Sequence, residues 1–304
     1  TNVSGRIAPQ LKEIGMITDA VFSDIDQDGD PDLMIVGEYM AVRTLVNEKG
    51  TFRDATAAFK LESTTGWWNR IIAADLDLDG DQDFVLGNHG ENSRLRADSL
   101  KPVELYVNDF DRNGTVEHIL CTRMGETVYP LALRHDLIAQ MPWLKKKYLK
   151  YEDYRNQRIA DIFTPEQLEG AITLKARTLS SAVLWNEGSK GFRLERLPSP
   201  AQFSPVYGMI AEDFTGDGIP DILCGGNLFR VKPEVGRYDA GYGLLLEGSK
   251  ERIFRPVPST RSGIRINGEI RDFILLKSGK STAKTLVVSR NDLPLLTYQF
   301  NPRP

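Results

Sequence analysis

Four nine-residue stretches carry most of the oxygen chemistry of this chain. They are Asp24-Ile-Asp-Gln-Asp-Gly-Asp-Pro-Asp32, Asp75-Leu-Asp-Leu-Asp-Gly-Asp-Gln-Asp83, Asp109-Phe-Asp-Arg-Asn-Gly-Thr-Val-Glu117 and Asp213-Phe-Thr-Gly-Asp-Gly-Ile-Pro-Asp221. Oxygen-bearing side chains at positions 1, 3 and 5, glycine at 6 and a carboxylate at 9 match ligand spacing around Ca2+. Alternate side chains turn inward, and position 7 (Asp30, Asp81, Thr115, Ile219) offers a backbone carbonyl. The glutamate that closes an EF-hand at position 12 is missing: Ile35, Leu86, Leu120 and Cys224 stand there. Asp-Gly clusters are also ordinary turn chemistry. Four in the same register are a different matter, because so many carboxylates in nine residues repel one another unless a cation neutralises them. The first two loops carry carboxylates throughout, whereas Asn113 and Thr215 lower the charge of the third and fourth. We therefore expect two to four Ca2+ sites, the first two strongest. Affinities near the ~10⁻⁴–10⁻³ M of extracellular modules would fill them only outside the cell, as a secreted or cell-surface protein.

These loops need elements to hold them. Each follows a short β-like run (AVFS, IIAA, ELYV, GMIAE) and precedes another (LMIVGE, FVLGN, HILCT, ILCGGN). The unit is a hairpin with an acidic connection, and internal repetition of this kind signals a solenoid or a propeller. The first aspartates fall at 24, 75, 109 and 213, in steps of 51, 34 and 104 residues. The long step contains a stretch of different character, residues 130–176, read as a helical insertion within a blade. There Thr164-Pro-Glu-Gln167 has the N-cap, first-turn proline and capping-box glutamine of a helix start. A second hairpin follows three of the four: "RTLVNEKGTFRDAT" after the first, "SAVLWNEGSKGFRLERLP" read as the third resuming, and "YGLLLEGSKERIFRPVP" after the fourth, while the second reads as a repeat with shortened or irregular outer strands ("HGENSRLRADSLKP"). A fifth unit without an acidic loop spans "GEIRDFILLKSG", "TLVVSRND" and "LPLLTYQF". Four short strands per repeat is a propeller blade. The expected fold is an all-β propeller of about five recognisable blades within 1–304, or a fragment of one.

The chain has 304 residues, 26 glycines, 16 prolines and a net charge of −4. This balance excludes collagen-like, coiled-coil and wholly disordered chains. It also argues against a general nucleic-acid binder, which needs a basic surface. No apolar run reaches the ~18 residues of a membrane span. Thr1 opens without an initiator Met, so the chain reads as mature or as a piece of a longer protein. Cys121 and Cys224 lie in apolar contexts and read as buried thiols; two cysteines make no disulfide framework.

Catalytic motifs are not evident. His89, His118 and His135 stand in three unrelated contexts, and there is no G-x-S-x-G, Walker or dinucleotide glycine pattern. We assign no catalytic residue and no organic cofactor. The alternative to a binding module is a Ca2+-dependent polysaccharide lyase, in which a metal acidifies a uronate α-proton. Two segments are candidates for a ligand surface: Trp67-Trp68-Asn69-Arg70, and Asn227 with Arg237, Tyr238, Asp239 and Tyr242. Core packing and turn formation are the competing readings. The Lys145–Tyr151 run reads as a solvated helix face, with an anionic partner as the other reading.

With "DIDQDGDPDLMIVGE", "GWWNRIIAADLDLDGDQDFVLGN", "PVELYVNDFDRNGTVEHIL", "AQFSPVYGMIAEDFTGDGIPDILCGGN" and "GRYDAGYG", the chain resembles the FG-GAP/VCBS-repeat family, which includes integrin α-subunit heads. It is most similar to bacterial cell-surface members with an ASPIC/UnbV-type region. The resemblance implies a propeller, commonly seven-bladed, with Ca2+ in the loop joining the first two strands of each blade. Carried over by position, the ligands are Asp24, Asp26, Asp28 and Asp32; Asp75, Asp77, Asp79 and Asp83; Asp109, Asp111, Asn113 and Glu117; and Asp213, Thr215, Asp217 and Asp221. It further implies adhesion or ligand binding. The partners would be an extracellular protein or glycan and the remaining blades of a longer polypeptide.

Overall fold

The computed structural model describes residues 1–277 and 284–300. After a short helix, α1 (Ser4–Ile7), the chain enters a sheet of β1 (Met16–Ser23), β2 (Asp32–Met40), β3 (Arg43–Glu48) and β4 (Thr51–Asp54). Each strand pairs antiparallel with the next. β5 (Gly66–Ala74) and β6 (Asp83–Asn88) then repeat the acidic hairpin. The start of β5 also pairs with the end of β2, joining the two sheets along one edge.

Leu95–Thr178 forms a separate compact unit; Thr1–Arg94 and Leu179–Pro304 form the other. The first of these holds β7 (Val103–Asn108), β8 (Glu117–Met124) and β9 (Thr127–Pro130). Five short helices follow: α2 (Arg134–Gln140), α3 (Leu144–Lys147), α4 (Tyr151–Tyr154), α5 (Ile159–Ile162) and α6 (Pro165–Glu169). They return the chain to β10 (Ile172–Ala176), which pairs with β7. At the start of α6, Thr164 Oγ1 accepts from the Gln167 N–H while Gln167 Oε1 accepts from the Thr164 N–H, forming the capping box.

The main unit resumes with β11 (Ala182–Asn186) and β12 (Phe192–Arg196), then β13 (Val206–Glu212), β14 (Asp221–Gly226), β15 (Leu244–Glu247) and β16 (Arg255–Val257). After α7 (Ser259–Ser262) come β17 (Ile270–Lys277), β18 (Lys284–Arg290) and β19 (Leu296–Phe300). Two expectations are corrected here. Residues 182–196 do not resume the third repeat: β11 pairs with β6 and completes the second sheet. The third acidic hairpin belongs instead to the unit 95–178, whose sheet runs β10-β7-β8-β9. Among the described residues there are five sheet units, four in the main unit, where the first two are joined as one eight-stranded sheet, and one in the other. The fifth contributes three strands among the described residues, and Ser278 and Gly279 of its first run lie outside them.

Strand alternation explains how the main unit packs. Successive side chains of a strand point to opposite faces, and here both faces are buried. Phe84 and Leu86 of β6 and Leu184 of β11 meet Met34, Val36 and Trp68 on one side. On the other, Val85, Val183 and Trp185 meet Met209, Ile222, Cys224 and Leu246. Leu223, between Ile222 and Cys224 on β14, turns the opposite way to join Phe273, Leu286 and Val288. Sheets stacked face to face, each sharing a core with the next, make a propeller-type all-β architecture. The unit 95–178 has its own core of Phe110, Ile119, Cys121, Leu137, Met141, Leu144 and Phe163. Cys121 and Cys224 are buried free thiols.

Candidate metal centres

The four acidic loops share one backbone. Position 4 has positive φ in each (Gln27 59°, Leu78 64°, Arg112 57°, Gly216 81°), as does the glycine at position 6 (94°, 95°, 87° and 83° at Gly29, Gly80, Gly114 and Gly218). Glycine adopts that conformation without a Cβ penalty. The hydrogen bonds repeat as well. The position-1 carboxylate accepts from the position-6 N–H at 3.1, 3.1, 2.8 and 2.9 Å. The position-5 side chain accepts from the position-7 N–H at 2.9, 3.1, 2.7 and 2.9 Å.

Position 9 is a clamp. One oxygen of Asp32, Asp83, Glu117 and Asp221 accepts from the N–H of position 2: Ile25, Leu76, Phe110 and Phe214. In the main unit the other oxygen reaches the third strand of the same sheet or the residue just after it. Asp32 takes the Asn47 N–H at 2.7 Å, Asp83 that of Asn186 at 2.8 Å and Asp221 that of Gly248 at 2.9 Å. All three aspartates are fully buried.

Three of the loops gather carboxylates into a cation-sized cluster. One oxygen each of Asp24, Asp26 and Asp32, of Asp75, Asp77 and Asp83, and of Asp109, Asp111 and Glu117 lie within 4.8 Å of one another. Asp28 and Asp79 accept the backbone N–H groups of Asp30 and Asp81 in the turn, and all four carboxylates stand outside these trios; Asn113 accepts the Thr115 N–H in the same way. In the fourth loop Asp213, Asp217 and Asp221 accept backbone N–H groups instead. Ile219 there is a buried side chain.

Within each loop at least one buried oxygen has no hydrogen-bond partner: Asp24 Oδ1, Asp75 Oδ1 and Asp81 Oδ1, Asp111 Oδ1, and Thr215 Oγ1. Such an oxygen carries a full desolvation cost unless something positive meets it. Burial and mutual repulsion act in the same direction on the acids. Burial pushes Asp83 up to about 7, against its two backbone donors, with Asp77 and Asp81 adding to the rise. Asp81 is pushed up to about 6 by burial and then by Asp79. Asp32, Glu117 and Asp221 also move upward, burial being the main cause. Hard oxygen donors, a carboxylate trio and unpaired buried oxygens fit a hard divalent cation.

The candidate ligand-surface residues separate into two groups. Trp67 stacks on His89 (centroids 5.0 Å apart, 20° between planes), and Tyr238 meets the same imidazole edge-on at 4.9 Å. The two segments are thus brought together through His89, with Tyr39 5.2 Å from Trp67. His89 is absent from the sequence-based set; the visible signal was its place directly after Asn88, where β6 ends. The imidazole is 7 % exposed, its Nε2 has no partner, and burial lowers it to about 4. Other residues serve the scaffold. Trp68 is wholly buried and its indole N–H donates to the Thr64 carbonyl. Arg70 pairs with Asp19 and Asp272. Asn227 donates its amide to the Gly241 and Gly268 carbonyls. Asn69 leaves its buried Nδ2 without a partner. Arg237, Asp239 and Tyr242 are exposed, Arg237 over the Phe229 ring and Tyr242 under Arg265.

Stacked antiparallel sheets, four of the sheet units with an acidic loop at the first hairpin, define a repeat protein of the propeller type. Residues 24–86, from the first loop into β6, match the family model of the FG-GAP-like repeat. That segment is an FG-GAP-like repeat. No curated protein matches the chain. Among the described residues no helix is long and apolar enough to cross a membrane.

Proposed function

We propose that the chain is a calcium-binding, propeller-type ligand-binding module that works outside the cell, with the metal structural rather than catalytic. The observation that carries this reading is the set of buried, partnerless oxygens, present in all four loops at position 1 or 3. Asp24, Asp26 and Asp32, Asp75, Asp77 and Asp83, and Asp109, Asp111 and Glu117 would hold the ions. Each ion would remove repulsion within its hairpin and stiffen the turn. Thr215 makes the fourth loop the poorest in charge. Because the acids are spent on the loops, the ligand surface is sought elsewhere, at the Trp67–His89–Tyr238 stack and the exposed Arg237, Asp239 and Tyr242. Its partner would be an extracellular protein or glycan, presented to further blades or domains of a longer polypeptide.

Thermal unfolding with about 2 mM Ca2+ against excess EDTA, joined to calorimetric titration, tests this. Binding to the folded state alone raises stability by RT ln(1 + [L]/Kd) per site. A clear rise in midpoint with two to four sites is expected. An unchanged midpoint without binding heat overturns the reading.

A further inference from the structure

We infer that Arg252 is a built-in competitor for the cation of the second loop, an inference that rests on the metal-loop reading above. Arg252 lies between β15 and β16, in a different sheet from the second loop, and is held at φ 60° in the left-handed region. Its N–H donates to the Ser249 carbonyl. The guanidinium passes over the Trp185 ring, 5.2 Å from the centroid. It then pairs through Nη2 with Asp77 Oδ2 and lies 3.5 Å from Asp79 Oδ2. The Asp77 side chain is 6 % exposed. This is a sheltered pair in which charge counts for more than on an open surface.

Among the described residues no other acidic loop receives a cationic side chain. The carboxylates at 24–32, 109–117 and 213–221 make no salt bridge to another described residue. The second loop therefore carries its own positive charge, on an acid that belongs to its carboxylate trio. A divalent ion that recruits Asp77 must move the guanidinium away. A cavity of about 220 Å³ bordered by Trp185, Glu195, Arg252 and Phe254 leaves room for it. Two consequences follow. Loop two binds its ion more weakly than loop one despite an equal complement of aspartates. Filling it also uncovers the Trp185 ring, so metal binding at loop two is coupled to the contact between two sheets.

The experiment is a Ca2+ titration of the full chain in an Asp24→Asn/Asp26→Asn background, which removes loop one. Calorimetry and tryptophan fluorescence are read together, and the Trp185→Phe titration isolates that indole. Arg252→Gln is expected to tighten one class of site about tenfold, as loss of a sheltered ion pair requires, and to abolish the Ca2+-dependent Trp185 signal. Arg252→Lys keeps the charge and should stay near the parent affinity; it also guards against a Gln variant that fails to fold. Equal affinities in the parent, Gln and Lys proteins, with an unchanged Trp185 signal, overturn the role of Arg252 while leaving the loops as metal sites. Absence of binding heat in every protein, including the unsubstituted chain, overturns the metal reading and this inference with it.

Discussion

Asp83 Oδ1 accepts the backbone N–H of Asn186 at 2.8 Å, across 103 residues of chain. The matching bond in the first sheet, Asp32 to Asn47 at 2.7 Å, crosses only 15. The same clamp thus closes two sheets, one continuous and one interrupted by the unit Leu95–Thr178. A carboxylate that satisfies two buried backbone donors at once is hard to replace, because its loss leaves both without partners.

Asp83→Ala is therefore expected to destabilise by about 3 kcal/mol, the cost of stranding the Leu76 and Asn186 N–H groups. Asp32→Ala and Asp221→Ala should fall close to it, since each carboxylate has the same two duties. Denaturant unfolding of the three variants, in EDTA so that metal does not contribute, checks this. Losses below about 1 kcal/mol would show that the clamp is dispensable.

His89 sets a pH dependence of definite sign. Burial lowers its folded-state value to about 4 from 6.5, so the folded protein resists protonation that the unfolded chain accepts. The stability it contributes is present above pH 6.5 and is lost as pH falls toward 4. His89→Phe preserves the ring between Trp67 and Tyr238 but cannot be protonated. The stability difference between parent and variant should be flat from pH 8 to 6.5. It should then move in favour of the variant by on the order of 2 kcal/mol at pH 4.5. A difference that stays flat to pH 4.5 would mean that the imidazole is not buried as described.

The thiols report on each core separately. Burial pushes Cys224 up to about 12, and Cys121 rises by the same cause with Glu104 nearby. Neither should react with a disulfide reagent at pH 8 in the native protein, because both are shielded from it and unionised. Both should react in guanidinium chloride. Cys121 sits in the core of 95–178 and Cys224 in that of the main unit, so quantified alkylation of the two peptides follows the opening of each unit. Prompt labelling of either in native buffer would contradict its burial.

The acidic hairpins were legible because ligand spacing, turn chemistry and flanking β runs all lie within about twenty consecutive residues. Their fold depends on local contacts, such as Asp24 to Gly29 and Asp28 to Asp30. The place of β11 was not, because its partner β6 lies almost a hundred residues earlier and a hairpin with a buried face fits any neighbour of the right shape. One signal was available. "LVNEKG" and "LWNEGSKG" present the same Asn before the turn, and Asn47 and Asn186 both bond a position-9 aspartate. Aligning those two asparagines would have put β11 in the second sheet. The role of His89 is illegible for another reason: a lone histidine carries no spacing, and only the fold sets it between Trp67 and Tyr238.

If the second sheet is interrupted rather than ended, the interruption should be removable. The Gly90 N–H donates to the Leu179 carbonyl at 2.8 Å, so the ends of the excursion already meet in the main unit. Asn88 adds bonds to Ser181 and Ser180 at the same stem. Replacing Leu95–Thr178 by a short Gly-Ser linker shortens the loop that β6 and β11 must close, which lowers its closure cost modestly. The shortened chain should fold cooperatively, keep the Asp83–Asn186 clamp and lose one Ca2+ site, that of Asp109, Asp111 and Glu117. Amide exchange at Asn186 and calorimetric stoichiometry measure both. Rapid exchange at Asn186, or an unfolded product, would mean that the unit 95–178 is needed to hold β11 on β6.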